Sequence, residues 1–368
     1  MGVPLMDIRA QYGPLRSEID AAVAGVLDTG RFILGPEGAA LEAAVSQRLA
    51  GRPAVGVANG TDALVIALDA LGIGPGDEVI TTPYTFYATA ESIARVGATP
   101  VFVDIDPDTF CLDPALIEAR ITAATKAVLP VHIFGHPADM PAICDVAGAN
   151  GLLVVEDCAQ AFGASLADGE IATYGDAATF SFFPTKNFPG MGDGGMVVCR
   201  DEELAEHVRR LRFHGSKDKV VFDEVGYNSR LDELQAAIIR VFYPHLDDWN
   251  ARRAQAAAWY AEEGLGEHMA LPAVAPGARH IYHLFMARHP RRDDVRAALA
   301  DAGIGSAVYY GIPMHLQPVF ARLGYGEGDL PVAEEAARTA LALPMHPNLT
   351  REDVAQVVAA VASVRAPA

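Results

Sequence analysis

A lysine and an aspartate lie in sequence settings that favour carbonyl chemistry. The chain has four lysines, and Lys186 alone lies among aromatic residues, prolines and glycines, in FSFFPTKNFPGMGDGG. A lysine amine in such a poorly hydrated setting loses its proton more easily and can form an imine with a carbonyl group. Asp157 ends the apolar run LLVVED. Because a carboxylate at the end of a buried strand can keep the ring nitrogen of pyridoxal phosphate protonated, the two residues together predict a pyridoxal-phosphate enzyme.

Each of these residues also has an ordinary interpretation. A lone lysine is most often a solvated surface residue, and an acid that closes a strand often caps the next turn. The aromatic neighbours of Lys186, such as Phe183 and Phe188, argue against a solvated face. Gln160 follows Asp157 by three residues and is close enough to bind the same ligand. The pairing of the acid with the lysine therefore favours the catalytic interpretation.

A candidate phosphate site lies in the segment VANGTDAL, which predicts a junction between a strand and a helix. At such a junction the free N–H groups and the positive end of the helix face an anion, and glycine lets the anion approach closely. Gly60 and Thr61 are therefore candidate phosphate ligands, and Ser181, shortly before the lysine, could supply a second hydroxyl. The alternative is an ordinary helix cap made by Thr61 or Asp62.

Composition argues against several classes of protein. The formal net charge is −19, whereas a nucleic-acid-binding protein normally presents a basic face. The start of the chain lacks the basic head and apolar stretch of a signal peptide, and no apolar run approaches the roughly 20 residues that span a bilayer. The four cysteines are widely spaced, which is typical of reduced, buried residues. We expect a cytoplasmic protein that binds neither nucleic acid nor membrane.

Two histidine pairs raise the question of a metal site. They are His132-x3-His136 and His280-x2-His283. Neither pair lies on a predicted helix face, and neither brings a matching set of Cys, Asp or Glu ligands. We therefore predict no metal.

The first half of the chain alternates strand-like and helical runs, which predicts a mainly parallel sheet buried on both faces. Strands are expected at AVGVA, EVITT, TPVFVDI, KAVLPVHIFG, LLVVED, ATFSFF and GMVVC, separated by helical segments such as PALIEARI. From about Leu231 a long helix begins, which we expect to bend near Pro244. HIYHLFMARH then predicts a strand, and RDDVRAALADAG predicts a helix. We expect a large domain over residues 1–243 and a smaller α+β domain over residues 244–368.

Several motifs resemble the DegT/DnrJ/StrS family of sugar aminotransferases. GTDAL, GDEVITTPYTFYATAESI, VEDCAQAFGA, SFFPTKN, GDGG and GYNSRLDELQAAI occur in the family's order, from about Asp7 to LPMHP near the C-terminus. The lysine motif and the NSRLDELQAA motif are specific, whereas GTDAL alone is not. The resemblance implies fold type I, the α/β fold of aspartate aminotransferase, with a mainly parallel seven-stranded sheet. It also implies a homodimer with active sites at the subunit interface.

The resemblance implies a role toward the cofactor for each matching residue. Lys186 would be the Schiff-base lysine, and Asp157 the partner of the pyridine nitrogen. Gln160 would bind the phenolic oxygen of the cofactor, and Phe86 would stack on its ring. The phosphate ligands would be Gly60, Thr61 and Ser181, joined by Asn228 from the partner subunit.

The same resemblance implies a set of substrate-binding residues. Arg230 would bind a carboxylate of the amino donor or the sugar, because a guanidinium matches carboxylate in a bidentate fork. Tyr309, Tyr310 and His315 lie in YYGIPMH, which departs from the HYP-x-P-x-H common in relatives and would face the sugar. A tyrosine-rich strand that packs the small domain is the alternative. Further basic residues that could offset the acidic charge near an anionic substrate are Arg212, His214, Lys217 and Lys219.

We therefore expect an aminotransferase that moves an amino group from L-glutamate or L-glutamine to a nucleotide-linked keto-sugar. The nearest pattern is the branch that acts on 3-keto sugars, including UDP-linked hexuluronates. The alternatives are a 4-keto sugar or a cyclitol ketone as the acceptor, a sugar dehydratase, and a non-catalytic cofactor-binding regulator. Some relatives that dehydrate carry histidine in place of the lysine, so Lys186 favours transamination. No helix-turn-helix motif or basic patch supports a regulator.

Overall fold

Strands and helices alternate along the first half of the chain, as the sequence predicts. The structure, a computed structural model, describes residues 2–167 and 169–364. Its α-helices are α1 (Ile8–Tyr12), α2 (Arg16–Thr29), α3 (Pro36–Arg48), α4 (Gly60–Ala70), α5 (Tyr87–Arg95), α6 (Met140–Ala149), α7 (Glu202–Leu211), α8 (Glu233–Phe242), α9 (Leu246–Glu262), α10 (Arg292–Asp301), α11 (Pro331–Thr339) and α12 (Arg351–Ala362). Its strands are β1 (Ala54–Val57), β2 (Glu78–Thr81), β3 (Thr99–Phe102), β4 (Thr125–Leu129), β5 (Leu153–Asp157), β6 (Ser165–Leu166), β7 (Gly169–Glu170), β8 (Ala177–Ser181), β9 (Gly195–Cys199), β10 (Ala278–Arg279), β11 (Phe285–Arg288) and β12 (Ala340–Leu343).

Seven of these strands form one sheet, in the order β1-β9-β8-β5-β4-β2-β3. The strands from β8 to β3 pair in parallel, and β9 runs antiparallel between β8 and β1. Successive residues of β1, β8 and β9 are nearly all buried, so both faces of the sheet are covered. This burial explains the near-continuous Val, Ile and Ala of the strands. The prediction of a mainly parallel seven-stranded sheet is confirmed.

Parallel pairing brings the chemically active segments to one edge of the sheet. The carboxyl ends of β1, β2, β5 and β8 lie at the same edge, which is where α/β folds bind ligands. Gly60, Phe86, Asp157 and Lys186 each lie at or soon after one of these ends. The order of the strands therefore places near one another four residues that are far apart in sequence.

The edge strand β1 is protected by a partly buried ion pair. Glu42 accepts a hydrogen bond from Gly56 N at 2.8 Å, and Arg212 donates to Gly56 O at 2.6 Å and to Glu42 at 2.7 Å. These side chains satisfy backbone groups that an edge strand would otherwise expose. The guanidinium of Arg212 is thus part of the interior, so the structure does not place it toward an anionic substrate.

A separate apolar cluster builds the C-terminal part of the fold. Residues of α9, α10 and α12 pack around the two-stranded sheet of β11 and β12. Val3 belongs to the same cluster, so the N-terminal segment contacts this part as well. The long helix is interrupted by a 3₁₀ turn at Tyr243–His245, where Pro244 was expected to bend it. The boundary between residues 243 and 244 stays a prediction.

Three expected elements differ from the structure for local reasons. The strand predicted at KAVLPVHIFG ends at Leu129, because Pro130 has no N–H with which to continue the ladder. The strand predicted at HIYHLFMARH begins only at Phe285, since Tyr282 has a positive φ of 49°. PALIEARI forms two 3₁₀ turns instead of a helix, and Ile117 is its one fully buried apolar residue. Within residues 2–167 and 169–364, no helix has the length and apolar character to cross a membrane.

Candidate active site

The edge formed by the strand ends opens into a cleft of about 640 Å³. Most of the predicted site residues line it, although they come from five different strand ends and loops. The predicted residues in its lining are Gly60, Thr61, Phe86, Asp157, Gln160, Ser181, Lys186, Tyr309 and Tyr310. Asn59, Thr85, Thr89, Asp193 and His283 also line the cleft, although their sequence settings predicted no role there.

Lys186 presents an amine that is poorly hydrated. Desolvation in the cleft lowers the pKa of Lys186 to about 8, although the negative charge of Asp157 acts in the opposite direction. The backbone N–H of Lys186 donates to Phe183 O at 2.8 Å, which closes a tight turn after β8. Because its pKa lies close to neutrality, the amine can both accept and return a proton near physiological pH.

Asp157 presents a buried carboxylate with part of its hydrogen-bonding capacity in use. Its Oδ2 accepts a hydrogen bond from Thr89 Oγ1 at 2.8 Å, and its Oδ1 accepts one from Ala159 N at 3.1 Å. Burial raises the pKa of Asp157, while these two hydrogen bonds and Lys186 oppose the rise. In the sequence, only the spacing of Thr89, about one helical turn after Phe86, indicates that it could lie near the cleft.

The start of α4 is arranged as a candidate anion site. Asn59 Oδ1 accepts a hydrogen bond from Asp62 N at 2.8 Å, so Asn59 is the cap, not Thr61 or Asp62 as the alternative interpretation held. Gly60 packs closely on Ser181, and a Cβ added at residue 60 would lie 2.6 Å from the Cβ of Ser181. The lack of a side chain at Gly60 is what lets the helix start and the serine hydroxyl converge.

Gln160 and two aromatic rings form the side of the cleft toward the C-terminal part. Gln160 Oε1 accepts a hydrogen bond from Phe134 N at 2.8 Å, which leaves its Nε2 to donate to Tyr310 Oη at 2.9 Å. Burial raises the pKa of Tyr310, so its phenol stays protonated. The ring of Phe86 is 55% exposed and lies 6.3 Å from that of Tyr310, between centroids. An exposed aromatic ring at a cleft can stack on a flat ligand.

Three predicted residues lie outside this cleft. Asn228 accepts a hydrogen bond from Arg230, and the guanidinium of Arg230 lies 5.7 Å from the ring centroid of Phe213. His315 is fully buried, and its Nε2 is 3.1 Å from Glu334 Oε1. The structure therefore does not bring His315 to the sugar side of the cleft, because its ring packs inside the loop that precedes α11.

Comparison with known proteins addresses the whole chain. Residues 14–362 match the model of the DegT/DnrJ/EryC1/StrS aminotransferase family. The chain belongs to this family. The DegT/DnrJ/EryC1/StrS members are pyridoxal-phosphate-dependent aminotransferases, and so is this protein. The resemblance, the fold type and the cofactor that the sequence predicted are confirmed.

One of the similar curated relatives is named as a regulatory protein, and others are named as sugar aminotransferases. The chain is 51% identical to a "pleiotropic regulatory protein" of Geobacillus stearothermophilus, over 98% of each chain. It is 49% identical to a UDP-N-acetyl-3-dehydro-α-D-glucosamine 3-aminotransferase of Acidithiobacillus ferrooxidans, over 96% of each chain. It is 47% identical to a dTDP-3-amino-3,4,6-trideoxy-α-D-glucose transaminase of Streptomyces venezuelae, over 98% of this chain and 95% of the relative.

Solved structures of the DegT/DnrJ/EryC1/StrS family share the whole fold. The crystal structure of S. venezuelae DesV in complex with a ketimine intermediate superimposes with a TM-score of 0.96, at 46% identity over 100% of both chains. A Bacillus subtilis family structure with bound cofactor PMP gives a TM-score of 0.88, at 36% identity over 95% of this chain and 81% of the other.

The cleft of this family member fits pyridoxal phosphate on its own geometry. It combines a desolvated lysine amine with a buried carboxylate, and it has an exposed aromatic ring beside a helix start that only glycine permits. These groups match the carbonyl, ring nitrogen, flat face and phosphate of the cofactor, respectively.

A group of three potential metal ligands lies behind the cleft. The ligand atoms of His132, Glu156 and Cys158 are within 4.8 Å of one another. The carboxylate of Glu156 already accepts hydrogen bonds from three backbone N–H groups and lies 3.1 Å from His132 Nε2. His132 Nδ1 accepts from Ala138 N. These contacts use the lone pairs that a metal would need, so we assign the group to the fold.

Proposed function

We propose that this aminotransferase moves an amino group from L-glutamate or L-glutamine to the keto group of a nucleotide-linked 3-keto sugar. The observation that carries the proposal is the meeting of Lys186 and Asp157 at one cleft. Position 3 of the sugar is supported by the names of two relatives that are 49% and 47% identical. The UDP and dTDP in those names leave the choice of nucleotide to experiment.

Lys186 and Asp157 would carry the chemistry. When bound, pyridoxal phosphate supplies a carbonyl that carries the amino group and a ring that takes up electrons. Lys186 would hold the cofactor and, once the donor has displaced it, take the proton from the donor's α-carbon as general base. Its pKa of about 8 keeps a fraction of the amine neutral for this step. Asp157, as the anion, would hold a proton at the ring nitrogen.

The remaining cleft residues would orient the cofactor. Gly60 and Thr61 begin α4, so their N–H groups and the hydroxyl of Thr61 would bind the phosphate, joined by Ser181. The Nε2 of Gln160 faces the cleft because Phe134 fixes its Oε1, so it can donate to the phenolic oxygen as well as to Tyr310. Phe86 would stack on the ring.

A homodimer would complete this site through Asn228 of the partner subunit. Asn228 lies outside the cleft of its own chain, just after a segment with exposed apolar side chains. Those side chains are Val220, Val221, Phe222 and Val225, of which Val225 is 93% exposed. Apolar surface of this kind favours burial against a partner, and two-fold dimers are the commonest soluble oligomers.

Two positive side chains, Lys219 and Arg230, flank this apolar segment, and their charge suits a nucleotide. Lys219 Nζ lies 4.7 Å from the ring centroid of Phe213, and the guanidinium of Arg230 lies 5.7 Å from it. In the proposed dimer Lys219 and Arg230 would reach the partner's cleft. Their positive charges would offset the acidic net charge there and favour binding of a diphosphate. Arg230 would bind a carboxylate of the donor or of a uronate, and Tyr309 and Tyr310 would contact the sugar.

The substrate is tested by running the reaction in reverse. UDP- and dTDP-linked 3-amino and 4-amino sugars, and an aminocyclitol, are each incubated with 2-oxoglutarate, and glutamate is measured. We expect glutamate from a 3-amino sugar only. Glutamate from 4-amino sugars alone, or from an aminocyclitol alone, would contradict the proposal. A deoxygenated keto product formed with release of ammonia, and with no glutamate formed, would favour the dehydratase.

The shared site is tested with mixed dimers. We expect Lys186→Ala to be inactive and Asn228→Ala to be weak, whereas in a shared site a mixed dimer contains one cleft in which both side chains are native. We expect activity to return when the two variants are unfolded and refolded together. No recovery, with mixed dimers demonstrated by differently tagged chains, would show that each cleft uses its own Asn228.

We infer that the protein acts in the cytoplasm. Cys111, Cys144, Cys158 and Cys199 are all among the described residues, and all are free thiols. Unpaired, mostly buried cysteines are typical of a reducing compartment. Fractionation of the native host checks the location, and recovery of the enzyme outside the cytoplasmic fraction would contradict it.

A further inference from the structure

The carboxylate of Asp157 is held by an element other than its own strand. Thr89, in the first turn of α5, donates a hydrogen bond to Oδ2, and Ala159 N donates one to Oδ1. The side chains of Thr89 and Asp157 are both buried. With one donor on each oxygen, the plane of the carboxylate is fixed, and its remaining lone pairs are left for a ligand.

The hydrogen bonds around Thr89 have a definite direction. Thr85 Oγ1 lies 2.9 Å from Thr89 Oγ1, and either hydroxyl could be the donor on geometry alone. A charged carboxylate can only accept, so Thr89 gives its single hydrogen to Asp157, and Thr85 must be the donor to Thr89. Such chains of hydrogen bonds polarise and strengthen one another in a buried setting.

The start of α5 couples this acid to the aromatic side of the cleft. Phe86 is the residue that precedes the helix, and Thr89 follows it by three residues, which is about one turn. The start of one helix therefore places both the exposed ring of Phe86 and the hydroxyl that holds Asp157.

We propose that Thr89 is a positioning residue for the transamination, because its hydroxyl holds the Asp157 carboxylate in the orientation that meets the cofactor's ring nitrogen. The inference rests on the proposed role of Asp157. Thr89 itself exchanges no proton with the substrate. It acts through the acid, so its removal should change the properties that depend on the charge and orientation of that acid.

Other groups that face Asp157 would remain when the threonine hydroxyl is removed. They are Lys186 from the turn after β8, His132 after β4, Tyr310 from the C-terminal part, and the neighbouring Cys158. Burial raises the pKa of Asp157, and the hydrogen bond from Thr89 is the largest opposing effect. Loss of the hydroxyl should therefore raise this pKa further.

The experiment compares three variants of the holoenzyme. Thr89→Val removes the hydroxyl at nearly constant volume, and Thr89→Ser restores it. Thr81→Val is the matched control, because Thr81 is equally buried in β2 but donates to a backbone carbonyl, Leu129 O, at 2.7 Å. For each variant we would measure the Kd for pyridoxamine phosphate by equilibrium dialysis, the pH profile of kcat, and unfolding by urea.

For Thr89→Val we expect pyridoxamine phosphate to bind roughly tenfold to a hundredfold more weakly, as for loss of a hydrogen bond to a charged group. The acid limb of kcat should move to higher pH, while KM for the amino donor changes little. Thr89→Ser should recover both properties. Thr81→Val should leave them unchanged even if its stability falls.

Two outcomes would overturn the inference, and they differ from failure of the proposed function. If Thr89→Val loses only stability, or if Thr81→Val matches its pH profile, then Thr89 is structural. Asp157→Asn is assayed in parallel. If Asp157→Asn is fully active, the role of Asp157 itself fails. If Asp157→Asn is inactive while Thr89→Val behaves like the wild type, only the inference about Thr89 fails.

Discussion

Two neighbouring carboxylates on β5 face opposite sides of the sheet and have opposite properties. Glu156 accepts hydrogen bonds from Ala172 N at 2.8 Å, Tyr174 N at 3.0 Å and Gly175 N at 2.8 Å, and it pairs with His132. Asp157, on the cleft side, has one donor on each oxygen. Burial alone would raise the pKa of both acids. The partners of Glu156 outweigh it and lower its pKa, whereas the pKa of Asp157 stays raised.

The difference separates an acid that holds the fold from an acid that is available to a ligand. A carboxylate has about four lone-pair positions, and those of Glu156 are all in use inside the protein. Asp157 keeps unused positions in a desolvated cleft, which costs folding free energy unless a partner arrives. Sequence alone shows only two adjacent acids, and the hydrogen-bond partners give each its role.

The largest effect is expected on the cleft side, from loss of the amine. Lys186→Ala should lower kcat by more than the roughly 10²–10⁴ typical of one general acid–base group, because it removes the cofactor attachment together with the base. Borohydride treatment and peptide mass spectrometry should place the cofactor on Lys186 in the wild type. An adduct on Lys126, Lys217 or Lys219 would refute the assignment.

The next test exchanges the charge of the available acid for a neutral group. Asp157→Asn should keep the cofactor but lower kcat by roughly 10²–10⁴, since an amide fills the space without stabilising a protonated ring nitrogen. Asp157→Ala should lose the cofactor too. Absorbance of the bound cofactor and steady-state kinetics measure both. Near wild-type turnover in Asp157→Asn would mean that this acid, like Glu156, only supports the fold.

The matching change in the structural acid should affect stability and spare catalysis. Glu156→Gln places an NH₂ group where the carboxylate accepted hydrogen bonds, so we expect the free energy of unfolding to fall by about 1–3 kcal/mol. Urea titration gives this value, and kcat per folded molecule should stay within about twofold of wild type, as for a change whose effect is confined to stability. A large loss of kcat in the stably folded variant would remove the distinction between the two acids.

The smallest effect is a difference in how the cofactor-free protein responds to pH. Because the folded pKa of Glu156 is lowered, its stabilisation is present above its unfolded pKa and is lost as pH falls through the folded value. The raised pKa of Asp157 has the opposite effect on stability. The charged carboxylate lowers the stability of the folded state at neutral pH, and this cost disappears as the pH falls. Cofactor-free Asp157→Asn should therefore unfold at higher urea than wild type at pH 7, and the gap should close in acid. A constant gap would contradict this assignment.

The sequence predicted those parts of the site that have a local signature. The apolar setting of Lys186, the strand that ends at Asp157 and the glycine that begins α4 can each be read within a few residues. Strand patterns also predicted the seven-stranded sheet. What could not be predicted depends on distant partners. Thr89 meets Asp157 only when the fold brings the first turn of α5 to the carboxyl end of β5, and His315 pairs with Glu334 from a later helix.

The predicted ends of several elements were wrong because they depend on backbone geometry that apolar patterns do not show. Apolar character continues through KAVLPVHIFG and HIYHLFMARH, but backbone geometry ends the first strand at Leu129 and delays the start of the second to Phe285. The cap of α4 was also assigned to the wrong residues, since Asn59, Thr61 and Asp62 are all suitable capping types. Only the backbone direction at the helix start distinguishes them.

The contact between Gly60 and Ser181 has a consequence for the edge of the sheet. β1 pairs only with β9 among the described strands, while Ser181 ends the more central β8. A phosphate bound by both residues would span two strands that share no hydrogen bonds and would fasten the outermost strand to the middle of the sheet. Amide exchange in Ala54–Val57 would then slow when the cofactor is added. The cofactor would thus stabilise the sheet as well as take part in the reaction.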